Sequence, residues 1–258
     1  MPQISATIIT RNEAQHIARA IRSLACADEI VVVDAESTDA TREVAASLGA
    51  RVVVHRWAGF AAQKNYASQM VRHDWVLSLD ADEELDEAAQ QAVQSWKDSE
   101  PRAAGYRFVR RARYLGRWIL HSGWYPDYKL RLYDRRQGEW QGAYVHESVV
   151  VRGPVETLPG EILHYTCDSL AEQRERIEFY AELAAQEMYD RGEHPAWFGR
   201  VMAPALAFVR SFFFHLGVLD GYQGFWIAWM AARYVRRKHT KLAHKLAASR
   251  ALRAKHPG

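Results

Sequence analysis

Acidic residues are missing from the end of this chain. Residues 221–258 contain no Asp or Glu, yet they carry nine Lys or Arg. Cysteine is almost missing too. Cys26 and Cys167 stand far apart and form no CxxC pair, so there is no disulfide framework and a reducing compartment fits. The chain runs straight into a strand-like segment with no basic-then-apolar leader pattern, so no signal peptide is expected. No uncharged run reaches the roughly 18 to 20 residues that a spanning helix needs. No Gly-x-Gly-x-x-Gly and no P-loop pattern follows the first strand-like segment, which removes the usual basis for a dinucleotide or P-loop reading. Internal repeats and low-complexity linkers are absent as well.

What is present describes a globular protein. The chain has 258 residues, 48% hydrophobic and 25% charged, enough for one large domain with or without an appendage. The net charge of +3 hides an asymmetry: setting aside the nine terminal cations leaves 25 basic against 31 acidic residues. The body is therefore about −6 and the tail +9. Such a tail calls for an anionic partner or surface.

The first hundred residues alternate strand and helix signals. Strands are expected at Ile4–Thr10, 29–33, 51–55 and 75–79. Helices are expected over 13–24 with Asn12 as cap, from Thr38 or Asp39 to 48 with Gly49 as the stop, over 61–71, and over 86–96. A βα series with short links gives a parallel sheet flanked by helices, with ligands at the carboxyl ends of the strands. Polar residues gather at those ends: Thr10-Arg11-Asn12-Glu13, Asp34 through Asp39, and Asp80 through Glu84. Residues 101–166 are rich in Trp, Tyr, Arg and Gly and read as a smaller mixed sheet with loops. Residues 167–258 read as a helical extension. The expected division is thus 1–100, 101–166 and 167–258.

Asp80-Ala81-Asp82 follows an apolar strand, so two carboxylates can reach one hard cation such as Mg2+ or Mn2+, which prefers oxygen ligands and shares them with phosphates. The plainer reading is an acidic helix start. Asp34 ends the second strand, where it can accept from a ribose or base, or merely close a turn with Ser37 and Asp39. Lys64 can meet a diphosphate or Asp80, or be a solvated surface lysine.

The segments Ala6 through Glu13, Val32 through Thr41, Gly59 through Asn65 and Trp75 through Glu83 resemble the family 2 (GT-A fold) inverting glycosyltransferases, and closest the lipopolysaccharide core β-glucosyltransferase subgroup. The resemblance spans nearly the whole chain. It implies a UDP-sugar donor with Thr10, Asn12, Glu13 and Asp34 near the nucleotide, Lys64 near the diphosphate, and Asp80, Ala81 and Asp82 at the sugar and the Mn2+ or Mg2+. Glu36 departs from it, because the family commonly has Gly in that turn.

An inverting transfer needs a base on the acceptor hydroxyl and stabilisation of the leaving diphosphate. Trp140 through Glu147 resembles the subgroup's Trp…Val-His-Glu motif, which puts Glu147 in the place of the base. Asp127 is its rival. His146 is a candidate to orient Glu147 or touch phosphate, His164 a candidate third metal ligand, and Arg131 a candidate contact to an anionic acceptor. Residues 201–230 are rich in Phe and Trp, are interrupted by Arg210 and Asp220, and are followed by the basic run. That pattern suits a segment lying on an anionic membrane. Core packing is the plainer reading, and no nucleic-acid motif accompanies the charge. The segment Gly217 through Gly224 resembles the subgroup as well, which implies a lipid-linked glycan acceptor at the cytoplasmic face of a bacterial inner membrane, with the protein peripheral or monotopic. A polyprenyl phosphate or capsule intermediate is the alternative acceptor, and a non-catalytic membrane-associated nucleotide-binding protein the alternative outside enzymes.

Overall fold

The computed structural model describes residues 1–142, 147–194 and 197–255, the side chains of 250–255 excepted. In chain order the elements are β1 (Ile4–Thr10), α1 (Ile17–Ser23), β2 (Glu29–Asp34), α2 (Thr41–Ser47), β3 (Arg51–Val54), α3 (Phe60–Gln69), β4 (Trp75–Asp80), β5 (Glu83–Leu85), α4 (Glu87–Lys97), β6 (Gly105–Tyr114), β7 (Arg117–Trp118), β8 (Asp127–Asp134), β9 (Gly138–Gln141), β10 (Ser148–Val151), β11 (Val155–Cys167), α5 (Leu170–Asp190), α6 (Trp197–Val209) and α7 (Gly221–Lys255). A π-helical turn, Arg210–Phe214, and a 3-10 turn, Gly217–Asp220, lie between α6 and α7. The chain forms two compact units, Met1–Ala112 with Pro126–Thr166, and Arg113–Tyr125 with Cys167–Gly258. Residues 113–125, assigned from sequence to the mixed sheet, thus group with the helices.

The first unit is built on a sheet in the order β3-β2-β1-β4-β8-β6-β11-β5. Strands β3, β2, β1 and β4 are parallel neighbours, and β8 joins β4 antiparallel. This is the α/β arrangement with parallel strands expected from the βα series. Burial alternates along the strands. Ile4, Ala6, Ile8, Val32, Leu77 and Leu79 pack with α1 and α4 on one face, while Ile9, Val31, Val33 and Val76 pack with Ala67 and Val71 on the other. Each fully buried Ile, Leu or Val contributes about 1.5–3 kcal/mol. β1 is buried along its whole length, as an inner parallel strand must be. Register does the rest: Thr10 lies opposite Asp34, and Ile9 opposite Asp80, so the acids ending β2 and β4 flank the end of β1.

Local starts differ from the sequence reading where side chains found distant partners. Asn12 is not a helix cap; it has φ 56 and its side-chain Oδ1 accepts from the Thr38 amide at 2.8 Å, and α1 begins only at Ile17. At α2 the cap position falls on Ala40, and Asp39 beside it accepts from the Thr41 amide at 3.1 Å, satisfying a donor of the first turn as expected, and from Ala14 N. Asp86 does cap α4, accepting from Ala89 N at 2.7 Å. Glu83 and Glu84 are not an acidic helix start: they lie in β5, antiparallel to β11.

In the second unit α7 packs on both α5 and α6. Asp220 is 1% exposed. It accepts from Leu120 N at 3.3 Å, His121 N at 3.2 Å and Ser122 Oγ at 2.7 Å, and meets His121 Nδ1 at 3.2 Å. It therefore does not interrupt the apolar surface, contrary to the sequence reading. Part of the basic tail also finds its anion within the unit. Glu178 pairs with Arg233, Arg237 and Lys241, and Glu182 with Lys241 and Lys245. The need for an external anion is reduced accordingly. Among the described residues no single helix is long and apolar enough to cross a membrane; Trp197–Phe214 and Gly217–Ser249 meet at a 73° bend.

Candidate active site

Lys64 anchors the site. It sits on α3 with a side chain only 2% exposed, its Nζ 2.8 Å from Asp80 Oδ1 and 3.2 Å from Glu147 Oε1. The Trp140 ring lies beneath it at 4.3 Å. Asn65, next on α3, fixes that ring's backbone by a reciprocal pair of 2.8 Å bonds to Trp140 O and N. Trp140 Nε1 donates to Tyr133 OH at 3.0 Å. A lysine this buried is tolerated only because carboxylates meet it.

The other oxygen of Asp80 accepts from Arg131 Nη2 at 2.9 Å. Arg131 also donates to both oxygens of Glu83, at 2.7 and 2.8 Å. Glu83 in turn accepts from Arg110 and from the Asp80 amide. Burial alone would push the Asp80 carboxyl up, but the charges of Lys64 and Arg131 overcome it and hold it well below the usual carboxylate range. The same contest leaves the Asp127 carboxyl low, burial being outweighed by Arg110 and Lys129.

Sequence had set Arg131 at an acceptor phosphate. It is 3% exposed and spends its guanidinium on Asp80 and Glu83, so a phosphate reaches it only by displacing a carboxylate. Glu83 and Arg110 were not singled out; β5 is Glu-Glu-Leu and the only charged residues of β6 are arginines, so no local pattern marks the pair. Asp34 is fully buried, accepting from Ser37 N at 2.8 Å and from Ser37 Oγ. Its carboxylate is thus already committed to the turn. The nearby Thr10 hydroxyl is buried and has no partner among the described residues. Glu13 donates its amide to Thr41 Oγ1 and meets His16 with its carboxylate. Ala81 is buried between the two acids of the motif. His146 lies outside the described residues.

Asp82 Oδ2 lies 3.3 Å from His164 Nε2. The strand pairing explains the meeting: His164 on β11 stands opposite Glu83 on β5, just past Asp82. A carboxylate beside an imidazole is a donor set that fits a divalent ion such as Mn2+. Asp80 is not part of that pair, because both its oxygens face cations. Among the described residues no three of His, Cys, Asp and Glu form a ready-made metal cluster, so any ion would complete its shell with a ligand's oxygens.

Residues 5–158 match the model of Glycosyl transferase family 2. The chain is similar to an uncharacterized glycosyltransferase of Rickettsia prowazekii, 32% identical over 237 residues that cover 87% of this chain and 81% of the relative. It is similar to the lipopolysaccharide core biosynthesis glycosyltransferase LpsC of Rhizobium meliloti, 30% identical over 81% of this chain and 80% of that one. Among solved structures, the glucosyl-3-phosphoglycerate synthase of Mycobacterium tuberculosis with Mn2+ and UDP aligns at a TM-score of 0.35 and 23% identity, spanning 43% of this chain and 44% of that one. The family match over more than half the chain and the full-length relatives agree: the chain belongs to glycosyl transferase family 2 and is a nucleotide-sugar-dependent glycosyltransferase.

Proposed function

We propose that this enzyme transfers a hexose, glucose from UDP-glucose being the first choice, with inversion onto a lipid-linked glycan of the lipopolysaccharide core type. The observation that carries the reading is the Lys64 ammonium held between Asp80 and Glu147 beside the ends of β1 and β4. An inverting displacement needs a cation near the leaving diphosphate and a carboxylate near the incoming hydroxyl. Lys64 and Glu147 supply one each, within contact of one another.

Glu147 is the better placed of the two carboxylates. Its carboxylate is 18% exposed and among the described residues meets one cation, whereas Asp127 is tied to both Arg110 and Lys129. Glu147 takes the proton of the acceptor hydroxyl as the new glycosidic bond forms. Lys64 balances the charge left on the departing diphosphate. Trp140 beneath Lys64 keeps water from that ammonium, which strengthens its charge in place. Asp82 and His164 would hold the Mn2+ or Mg2+, which when bound supplies further neutralisation of the diphosphate. The LpsC likeness supports the lipopolysaccharide acceptor. The apolar surface of the helical unit supports a site of action at the cytoplasmic face of the inner membrane.

The test is transfer and hydrolysis from radiolabelled UDP-hexoses, with chelator and then with added Mn2+. Activity that needs the ion and falls with Asp82→Ala is expected. No turnover of any nucleotide-sugar, or indifference to Asp82→Ala, sinks the reading. A lipopolysaccharide core acceptor set beside a polyprenyl phosphate acceptor decides the second substrate.

A further inference from the structure

The bend between α6 and α7 carries chemistry that sugar transfer does not use. Two glycines make it tight. A Cβ on Gly224 would stand 1.8 Å from the Gly217 carbonyl oxygen, and one on Gly217 would stand 2.7 Å from Ser211 O. Only backbone fits there. The bend thrusts a group of apolar side chains into solvent: Phe214 is 79% exposed, and Phe213, Leu216, Val218, Leu219 and Tyr222 are each about half exposed or more. Single exposed apolar residues are ordinary; a contiguous group marks an interaction surface.

Beside this tip lies a cavity of about 270 Å³, lined by His121, Gly123, Tyr125, Phe214, His215 and Leu216 among others. Two histidines face it, and each is held by a second group. His121 Nδ1 donates to Asp220, which fixes that ring against the bend. Arg210 Nε donates to His215 Nε2 at 3.1 Å. Gly123, at φ 78, admits the second ring: a Cβ there would lie 2.4 Å from His215 Nδ1. The Asp220 carboxylate is covered by its four donors from residues 120–122, so it presents no anionic face. From residue 197 to 219 the formal charges are Arg200 and Arg210, both cationic. A volume several times that of a water molecule, at roughly 30 Å³, has room for a phosphate group.

We propose that this notch binds the phosphodiester headgroup of an anionic phospholipid, with Phe213, Phe214, Leu216 and Leu219 entering the acyl boundary around it. The occupant follows from the combination. An apolar rim alone would suit a protein partner, and a cationic notch alone a soluble phosphate. A notch whose His215 holds the exposed Arg210 guanidinium at its edge, ringed by exposed apolar tips, matches a charged head on a hydrocarbon body. The inference deepens the membrane-face part of the proposed function and rests on it, but it does not depend on which sugar is transferred.

The test uses the full chain and sedimentation with phosphatidylcholine vesicles, made with and without phosphatidylglycerol. Wild type should prefer the phosphatidylglycerol vesicles. R210Q should lose roughly fivefold in that binding, as expected for one surface charge, while its melting temperature and UDP-hexose hydrolysis stay at the wild-type level. F214D should lose binding to both vesicle types. Glycerol phosphate should compete poorly, because it lacks the chains. Equal binding to both compositions, or full retention by R210Q, overturns the proposal. Strong glycerol phosphate competition without vesicle binding makes the notch a soluble-phosphate site and overturns it too. So does dimerisation abolished by F214D without vesicle binding, which gives the tip to a second copy. Absence of UDP-hexose hydrolysis in the wild type overturns the donor reading alone.

Discussion

In the sheet unit the charges of Lys64, Glu83 and Arg131 are buried to 4% exposure or less, while in the helical unit Trp197, Phe214 and Tyr222 stand more than 60% exposed. Each arrangement goes against the free energy of folding. Buried ion pairs give back in Coulomb energy little more than their desolvation costs. Exposed aromatics forgo the burial that would stabilise them. The comparison teaches where to look: a fold that tolerates either cost in a cluster is being shaped by something it must bind. In the sheet unit that is an anionic donor; in the helical unit the proposed counterpart is an apolar phase.

The largest effect should come from removing the base. Glu147→Gln keeps the shape and one hydrogen bond to Lys64, yet it should lower kcat by about 10³-fold, within the range for general-base loss. Asp127→Asn should lower it by less than about tenfold, because the Arg110 and Lys129 pairing already commits that carboxylate. Steady-state kinetics with one UDP-hexose and saturating acceptor decide it, and the reverse order of effects would move the base to Asp127. Next is Lys64→Ala, expected to cost about 10²-fold in kcat/KM, as for one lost electrostatic stabiliser. Binding of UDP by calorimetry should weaken in parallel; unchanged UDP affinity and turnover would make Lys64 a merely structural ion.

In the helical unit the corresponding probe is Asp220→Asn. An amide cannot accept from all the donors that the carboxylate serves, so unfolding free energy should drop by about 2–3 kcal/mol. Urea titration followed by tryptophan fluorescence reads this. Acid distinguishes the two units further. The Asp80 and Asp127 carboxyls are held low in the fold, so their contribution is present above the ordinary carboxylate range and is lost as pH falls through it. Melting temperature should decline on acidification below about pH 4, and Lys64→Ala should blunt that decline; a decline of undiminished size in that variant would mean the Asp80 pairing is not its source.

Much of this was legible in the sequence wherever the cause is local. An apolar run ending in an acid placed β2 with Asp34 and β4 with Asp80, and the βα rhythm then gave the parallel order. The site was legible in its parts: Lys64, Asp80 and Glu147 were each singled out, and His164 was linked to Asp82. What was not legible depends on partners far along the chain. Glu83 and Glu84 look like a helix start until β11, some eighty residues on, pairs with them. Asn12 looks like a cap until Thr38 takes its side chain. Asp220 looks like a surface charge, because its donors lie about a hundred residues earlier. The tail looks unpaired until Glu178 and Glu182 reach it from α5. In each case charge and propensity were read correctly and the distant partner reassigned them.

The smallest expected effect tests whether local and functional demands compete at one turn. Glu36 was noted as the departure from a family glycine, and it sits at φ 57, in the left-handed region. An L-residue with a Cβ costs roughly 1–2 kcal/mol there. A glycine removes that strain but gives back roughly 0.5–1 kcal/mol through the greater freedom of the unfolded chain. The difference sets the sign: Glu36→Gly should stabilise by about 0.5 kcal/mol, a rise of about 1–2 °C in Tm for a chain of this size. The turn it belongs to presents the Ser37 amide and hydroxyl to Asp34, so relaxing it should leave that contact in place. If Tm rises while KM for the nucleotide-sugar stays level, Glu36 is a tolerated strain. If Tm rises and KM climbs, the exposed carboxylate serves donor binding and the strain is retained for it. A fall in Tm would show that the glutamate makes a stabilising contact large enough to reverse the backbone arithmetic, and the left-handed geometry would no longer explain the residue.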